Sequence, residues 1–243
     1  MMPNPTAAIL IIGDEILTGR TREGNAHHLA GELVKAGFDL RQIRVISDDH
    51  PTIVAAVREL SAAHDHLFTS GGIGPTHDDI TADAVAEAFG HSIGVREDAR
   101  AILAAHYAAR GVEFTEARLR MARIPEGARL IDNPVSGAPG FSLGNCHVMA
   151  GVPNIFQAMV AGLLPRLSGG QPLLSRNWQM MVAEAAIADA LRDLAATHPA
   201  VSFGSYPFVT EGQYGTNLVA RSTEPAALDA AFAALQAAFP EGR

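Results

Sequence analysis

Two stretches of this chain concentrate residue types that hold and activate phosphate. The denser is Gly71-Gly72-Ile73-Gly74-Pro75-Thr76-His77-Asp78-Asp79-Ile80-Thr81. Its glycines let backbone approach an anion closely, and a helix starting beyond them presents unpaired N–H groups and a positive dipole end. A capped turn needs one carboxylate, not the adjacent pair Asp78 and Asp79. The second stretch, Gly13-Asp14-Glu15-Ile16-Leu17-Thr18-Gly19, again follows glycine with acid. Where the two turns meet, Asp14, Glu15, Asp78 and Asp79 crowd one place, and four carboxylates repel a phosphate unless a cation intervenes. Hard divalent ions bridge carboxylate and phosphate oxygens, so the expected cofactor is a divalent metal, Mg2+, Mn2+ or Co2+.

Other chemical residues are less clustered. Ser47-Asp48-Asp49 is a third acidic turn, readable as a helix cap ahead of Pro51 or as a ligand contact. Ser136-Gly137-Ala138-Pro139-Gly140-Phe141 reads first as a Gly/Pro turn and second as a wall of the cleft. His27, His28, His64 and His66 lack partners at metal-ligand spacing and read as surface or packing residues. His77, inside the glycine loop, stays open. Cys146, the single cysteine, reads as a small buried apolar residue. Trp178, Tyr206 and Tyr214 read as packing residues.

The elements that position the acidic turns follow from periodicity. Thr6–Ile12 is an unbroken apolar run ending at Gly13, the pattern of a strand buried on both faces. Asn25–Ala36 has helical spacing and is closed by Gly37. Phe38–Ile46 reads as a strand, Pro51–Ala63 as a helix, His66–Ser70 as a strand and Ile80–Phe89 as a helix. Three successive strand–helix units imply right-handed crossovers and a parallel sheet covered on both faces. Both acidic turns then follow strand C-termini, the edge where open α/β sheets bind ligands. Helices are expected over Arg96–Arg110, Glu116–Arg123 and Pro153–Leu164, with short strands near Phe141–Leu143 and His147–Met149. The fold class is therefore α/β, three-layered and mostly parallel, in a first domain of residues 1–166. A Gly/Ser/Pro-containing linker opens a second domain, 167–243, small and α+β. Its expected elements are strands Trp178–Val182, Val201–Tyr206 and Gly215–Arg221 with helices Ala185–Ala196 and Pro225–Phe239.

Composition narrows the function. The 243 residues carry a formal net charge of -8, which opposes binding to nucleic acid or anionic lipid. Arg176, Arg192 and Arg221 are too far apart in sequence to imply a basic patch. Lys35 is the only lysine, so phosphate must be held by backbone N–H groups, arginine or a metal. A lone cysteine excludes an internal disulfide framework and fits a reducing compartment. Neither a signal peptide in Met-Met-Pro-Asn-Pro nor a membrane-spanning run is expected, and the reading is of a cytoplasmic protein.

Gly13-Asp14-Glu15-Ile16-Leu17-x-Gly19, Asn25, Asp48 and Gly71-Gly72-Ile73-Gly74-Pro75-Thr76-x-Asp78-Asp79-x-Thr81 together resemble the molybdopterin-binding (MoCF) family. Within it they resemble the competence/damage-inducible protein A (CinA) branch, as do Asn133 through Phe141 and Gly151-Val152-Pro153. The likeness covers about residues 6–165, while Gly204–Phe208 and Tyr214-Gly215-Thr216-Asn217 look like the small domain that follows in CinA-type proteins. It implies a phosphorylated nucleotide or pterin ligand. Contacts are implied from Gly13, Asn25, Gly71, Gly72, Gly74, Pro75, Thr76, Thr81, Ser136 and Gly137, with Asp48 and Asp79 catalytic. In molybdenum-cofactor members the acids matching Asp79 and Asp48 act where molybdopterin is adenylylated. CinA-type relatives are associated instead with metal-dependent hydrolysis of nucleotide pyrophosphates such as ADP-ribose, and those fused to FAD synthase with FAD hydrolysis. Deamidation of nicotinamide mononucleotide, the work of a further amidase domain in many CinA proteins, is not implied. A homo-oligomer, most simply a dimer, is. Three functions remain open: a metal-dependent nucleotide pyrophosphatase, a pterin-binding protein without turnover, and an adenylyl transferase. The small domain is expected to be structural or oligomerising, with no catalytic residue beyond 165.

Overall fold

The computed structural model describes residues 3–242; Met1 and Met2, where the signal-peptide reading begins, and Arg243 lie outside it. The chain divides into two units between Gly170 and Gln171.

The first unit runs β1 (Thr6–Ile12), α1 (Asp14–Leu17), α2 (Asn25–Lys35), β2 (Asp39–Ile46), α3 (His50–Ala63), β3 (His66–Ser70) and α4 (Thr81–Phe89). It continues with β4 (Ile93–Val95), α5 (Glu97–Ala108), α6 (Glu116–Leu119), β5 (Arg123–Pro125), β6 (Arg129–Ile131), β7 (Gly140–Leu143), β8 (Cys146–Met149) and α7 (Pro153–Leu163). Six strands form one sheet in the order β2-β1-β3-β8-β7-β6. The first four are parallel, and β7 runs antiparallel to both β8 and β6. Helices cover both faces. Ala8, Leu10 and Ile12 of β1 pack with Ile53, Val57 and Leu60 of α3, Val85 of α4 and Leu103 of α5. The alternate residues Ala7, Ile9 and Ile11 pack with Leu29 and Leu33 of α2 and with Phe156, Met159 and Val160 of α7. That two-sided burial is why β1 reads as a continuous apolar run.

The sequence reading differs from the structure in places where apolar pattern is thin. Asp14–Leu17 is a single helical turn, and β4 pairs with β5 in a two-stranded sheet that no alternation announces. The helix expected over Glu116–Arg123 stops at Leu119; a 3-10 turn, Arg120–Ala122, follows, and Arg123 opens β5. Arg129–Ile131, unassigned in sequence, is the edge strand β6.

The second unit holds β9 (Leu174–Met180), α8 (Ala188–Thr197), β10 (Ser202–Thr210), β11 (Gln213–Ser222) and α9 (Pro225–Ala238). Its antiparallel sheet has the order β10-β11-β9. Trp178 packs edge-on against Phe232, as expected. Tyr206 and Tyr214 do not pack: they are 47% and 70% exposed. Tyr214 sits at the hairpin end of β11, and Tyr206, in the middle of β10, shares with Arg221 the sheet face away from α9. Arg176 and Arg221 are close in the fold, since Ala220 opposes Arg176 and Arg221 opposes Ser175. Adjacent residues of a strand face opposite ways, so the two arginines leave opposite faces, Arg176 to Asp229 and Arg221 to the Tyr206 hydroxyl. Among the described residues no helix is long and apolar enough to cross a membrane.

Phe156, fully buried between α7 and the sheet, should lose about 3–5 kcal/mol on Phe156→Ala. Val95, 48% exposed on β4, should change by no more than about 0.5 kcal/mol on Val95→Ala. Urea denaturation of both variants measures the contrast.

Candidate functional site

Strand register brings the loops together. Ile12 pairs with Ile46, Ile11 with Ser70, and Ser70 with Met149. The segments beginning at Gly13, Ser47, Gly71 and Ala150 therefore leave the sheet side by side at its carboxyl edge. Gly71 is held there by its N–H, which donates to the Met149 carbonyl at 3.1 Å. Its φ is +109°, and a Cβ at this position would lie 2.2 Å from the Ile12 carbonyl oxygen, so only glycine lets the loop start this close to β1. A Cβ on Gly72 would likewise meet the Thr81 hydroxyl at 2.1 Å. Thr81, fully buried, donates its N–H to the Gly72 carbonyl at 3.0 Å and closes the loop onto the start of α4.

Inside this closed loop donors are left over. Among the described residues no protein acceptor meets the N–H of Gly72, Ile73 or Gly74. Helix α4 begins without a side-chain cap. Successive unpaired N–H groups running into a helix N-terminus form an anion-binding concavity. Pro75 and Thr76 are exposed at the loop's turn. Asp79 shapes that turn: its Oδ2 accepts from the Thr76 N–H at 2.8 Å and from the Thr76 hydroxyl at 2.6 Å.

The acids separate into two places. Asp48 accepts the N–H of Asp14 at 2.9 Å and so ties the β2 loop to the β1 loop. Burial pushes the Asp48 carboxyl above the usual carboxylate range. The Asp14 N–H pulls it down, and the charges of Glu15, Asp14 and Asp78 add to the rise. Asp14, Glu15, Asp48 and Asp78 thus share one electrostatic neighbourhood drawn from three loops. Among the described residues the one ion pair to any of them is from His77, 3.8 Å from Asp78 and 99% exposed. Asp79 lies elsewhere. It lines a hollow of about 20 Å³ with Gly74, Asp83, Arg120, Arg123 and Pro139, where Arg123 is ion-paired to Asp83. Asp49, not Asp48, caps α3, accepting the Thr52 N–H at 3.1 Å.

Asn25 belongs to a third group. Its side-chain amide, 6% exposed, donates to the Ser70 hydroxyl at 2.9 Å and to the Gly151 carbonyl at 2.7 Å. Its Oδ1 is buried without a partner among the described residues. Glu15, Arg22 and Gly24 line the same hollow, of about 60 Å³. Ser136 and Gly137 do not enter either hollow. Ser136 accepts the Asn133 side-chain amide at 2.6 Å, and Gly137 is pressed against the His106 ring; from that segment Pro139 and Phe141 reach the Asp79 hollow instead. The arginines near the loop, Arg22 and Arg120, carry no motif and no sequence signal beyond the scarcity of lysine. No three His, Cys, Asp or Glu side chains among the described residues stand close enough to hold a metal ion by themselves.

Residues 8–169 match the family described as "Probable molybdopterin binding domain". The chain belongs to this family. Residues 172–243 match a second model, the middle domain of FAD synthase. A protein of Pyrobaculum calidifontis is 37% identical over 84% of this chain and 81% of its own length. A CinA-like protein of Desulfosudis oleivorans is 35% identical over 82% of this chain, which spans about half, 51%, of that relative. The crystal structure of the protein CinA, of unknown function, from Thermoplasma acidophilum superposes with a TM-score of 0.61 at 34% identity, covering 66% of this chain and 98% of that one. These likenesses place the chain with CinA-like members, and the mostly parallel, two-sided sheet is the family's fold.

The Asp48 carboxyl yields a test of the acid cluster. A carboxyl whose folded pKa is raised favours folding at low pH and costs stability as pH rises through the window above its ordinary value. Asp48→Asn keeps an acceptor for the Asp14 N–H and removes the charge. It should therefore stabilise the protein at neutral pH, and the difference should vanish as pH falls below the ordinary carboxylate range. Denaturation midpoints across pH measure it; equal midpoints at neutral pH would show that the acids are not in conflict.

Proposed function

We propose that the chain binds the diphosphate of a nucleotide at the carboxyl edge of its sheet and hydrolyses it as a divalent-metal-dependent nucleotide pyrophosphatase, with ADP-ribose or FAD as the substrate type. The observation that carries this reading is the run of unpaired N–H groups at Gly72–Gly74 leading into uncapped α4, beside four carboxylates gathered from three loops. Amides alone would hold an anion; a neighbouring block of unneutralised acid repels one. The acid set fits a hard cation that also takes phosphate oxygens, since Mg2+-like ions use one or two carboxylates and complete their shell with substrate and water. One or two of Asp14, Glu15, Asp48 and Asp78 would hold it, with phosphate oxygens and water completing its shell, and bound there it would supply charge neutralisation and polarisation of the phosphoryl group.

The chain's own groups do the rest. The loop amides bind and orient the diphosphate, Arg120, which lines one hollow with Gly74, offsets its charge, and Asp79 fixes the Thr76 turn. The match of residues 172–243 to the FAD synthase middle domain supports a dinucleotide over a simple phosphate. The family's pterin-binding description supports a second reading, binding or adenylylation of a phosphorylated pterin, which would use the same loop.

The test is a hydrolysis screen of ADP-ribose, FAD, NAD and diadenosine compounds with Mg2+, Mn2+ and Co2+. Asp78→Asn and Asp79→Asn should each lower turnover at least about tenfold, roughly 1.4 kcal/mol of transition-state stabilisation, with the folded state retained. Full activity in both variants would leave the two acids as loop-shaping residues only. Absence of hydrolysis with tight pterin binding would favour the second reading.

A further inference from the structure

At the opposite edge of the sheet, one cavity has a basic lining with no acid in it. Arg129 of β6 opposes Ser142 of β7, and Ser142 opposes His147 of β8. Directly opposed residues project from the same face of a sheet, so the three make a row. His66, the first residue of β3, extends it. The Ser142 hydroxyl and His147 Nδ1 are 2.8 Å apart, and His147 Nε2 and His66 Nδ1 are 3.0 Å apart. The two rings stack with centroids 5.3 Å apart. This row lines a cavity of about 410 Å³ whose other walls include Arg166, Leu163 and Leu167 at the end of α7.

Three features distinguish this cavity from a packing defect. Its volume lies in the range of about 300–1,000 Å³ typical of small-molecule sites. No Asp or Glu lines it, although the chain carries a net charge of -8. The side chains of Arg129 and Arg166 enter no ion pair or hydrogen bond among the described residues. Both arginines are exposed, and two unpaired guanidinium groups that line one hollow without a carboxylate beside them can take an anion there with paired N–H donors.

We propose that this amino-edge cavity is a second ligand site, for a small metabolite that carries a phosphate or carboxylate on a partly apolar body. Arg129 and Arg166 bind the anionic group, Leu163 and Leu167 face the apolar part, and His66 contributes a ring N–H. The hydrogen-bonded row makes that last role possible. When His66 holds protons on both nitrogens, its Nδ1–H donates to His147 Nε2, and His147 Nδ1–H donates to the Ser142 hydroxyl. His66 Nε2–H is then left for the ligand. Burial holds His147 down to about 3, so it remains the neutral link in the row, and burial lowers His66 as well. An anion in the cavity offsets that cost. The site is separated from the glycine loop by the length of β3, roughly 13 Å at a rise of 3.3 Å per residue, and stands independently of the pyrophosphatase reading.

Nitrogen-15 NMR of the histidine rings in the full chain tests it, with inorganic phosphate and succinate as probes and His66→Gln to assign signals. Saturable shifts of the His66 and His147 ring signals are expected with at least one probe. A response to phosphate alone identifies a phosphorylated ligand, and a response to succinate alone a carboxylate. The double variant Arg129→Gln/Arg166→Gln should weaken the response at least tenfold. Arg41→Gln, at an exposed ion pair elsewhere, and Asp79→Asn, at the opposite edge, should leave it unchanged. No saturable shift with either probe, or a shift that survives loss of both arginines, would overturn the proposal.

Discussion

The carboxyl-edge site depends on one close approach: Gly71 against the last carbonyl of β1. Where β3 ends, its chain must turn within 2.2 Å of a virtual Cβ clash with the Ile12 oxygen. Gly151 repeats the constraint from the other side, since a Cβ there would sit 3.2 Å from the Gly71 Cα. These two contacts let three crossover loops leave the sheet with almost no space between them. Any side chain at Gly71 would push the glycine loop away from the β1 loop, and with it the amides away from the acids. The chemistry at this edge is therefore a consequence of backbone proximity, which the flanking layers hold in place by burying β1 on both faces.

That proximity has an electrostatic cost. Asp14, Glu15, Asp48 and Asp78 are drawn together by the same register that gathers the amides, and Asp48 is partly desolvated as well. Folding supplies one partial remedy, the Asp14 N–H. Elsewhere several exposed acids are relieved by arginine, as Glu59 is by Arg44 and Glu97 by Arg100. Unrelieved repulsion at a site is a familiar exchange of stability for function. At the amino edge the cavity beside β6 and β8 shows the opposite imbalance, with two arginines and no acid in its lining. A parallel sheet naturally separates its ends in this way, since all its strands point their carboxyl ends to one side.

How much of this was legible in sequence follows from what is local and what is not. The continuous apolar run Thr6–Ile12 and the Gly-Gly-x-Gly loop between a strand and a helix are local signals, and they carried the sheet, its two-sided burial and the edge on which the acids lie. The pairing of His66 with His147 spans 81 residues, and nothing in either segment announces it: His66 alone looks like a surface or packing residue. Arg22 and Arg120 escaped notice for the same reason. In the small unit the strands were misplaced by several residues because β9 and β10 are exposed on much of their length, so no buried alternation marks their ends. Residue type alone reads Tyr206 and Tyr214 as packing residues, whereas their exposure is decided by the sheet face for Tyr206 and by the place at the hairpin end for Tyr214.

Asp79 illustrates how a carboxylate can shape a turn and keep capacity to spare. Both of its hydrogen bonds, from the Thr76 N–H and from the Thr76 hydroxyl, go to Oδ2. Its Oδ1 takes none among the described residues, and the side chain lines the hollow that holds Arg120 and Arg123. A carboxylate has roughly four acceptor positions, so shaping the loop uses only part of its capacity. The bland reading of this acid as a turn-former is correct in the structure and does not compete with a functional one. The turn that Asp79 forms belongs to the loop that carries the Gly72–Gly74 amides, and Asp79 lines the same hollow as Gly74.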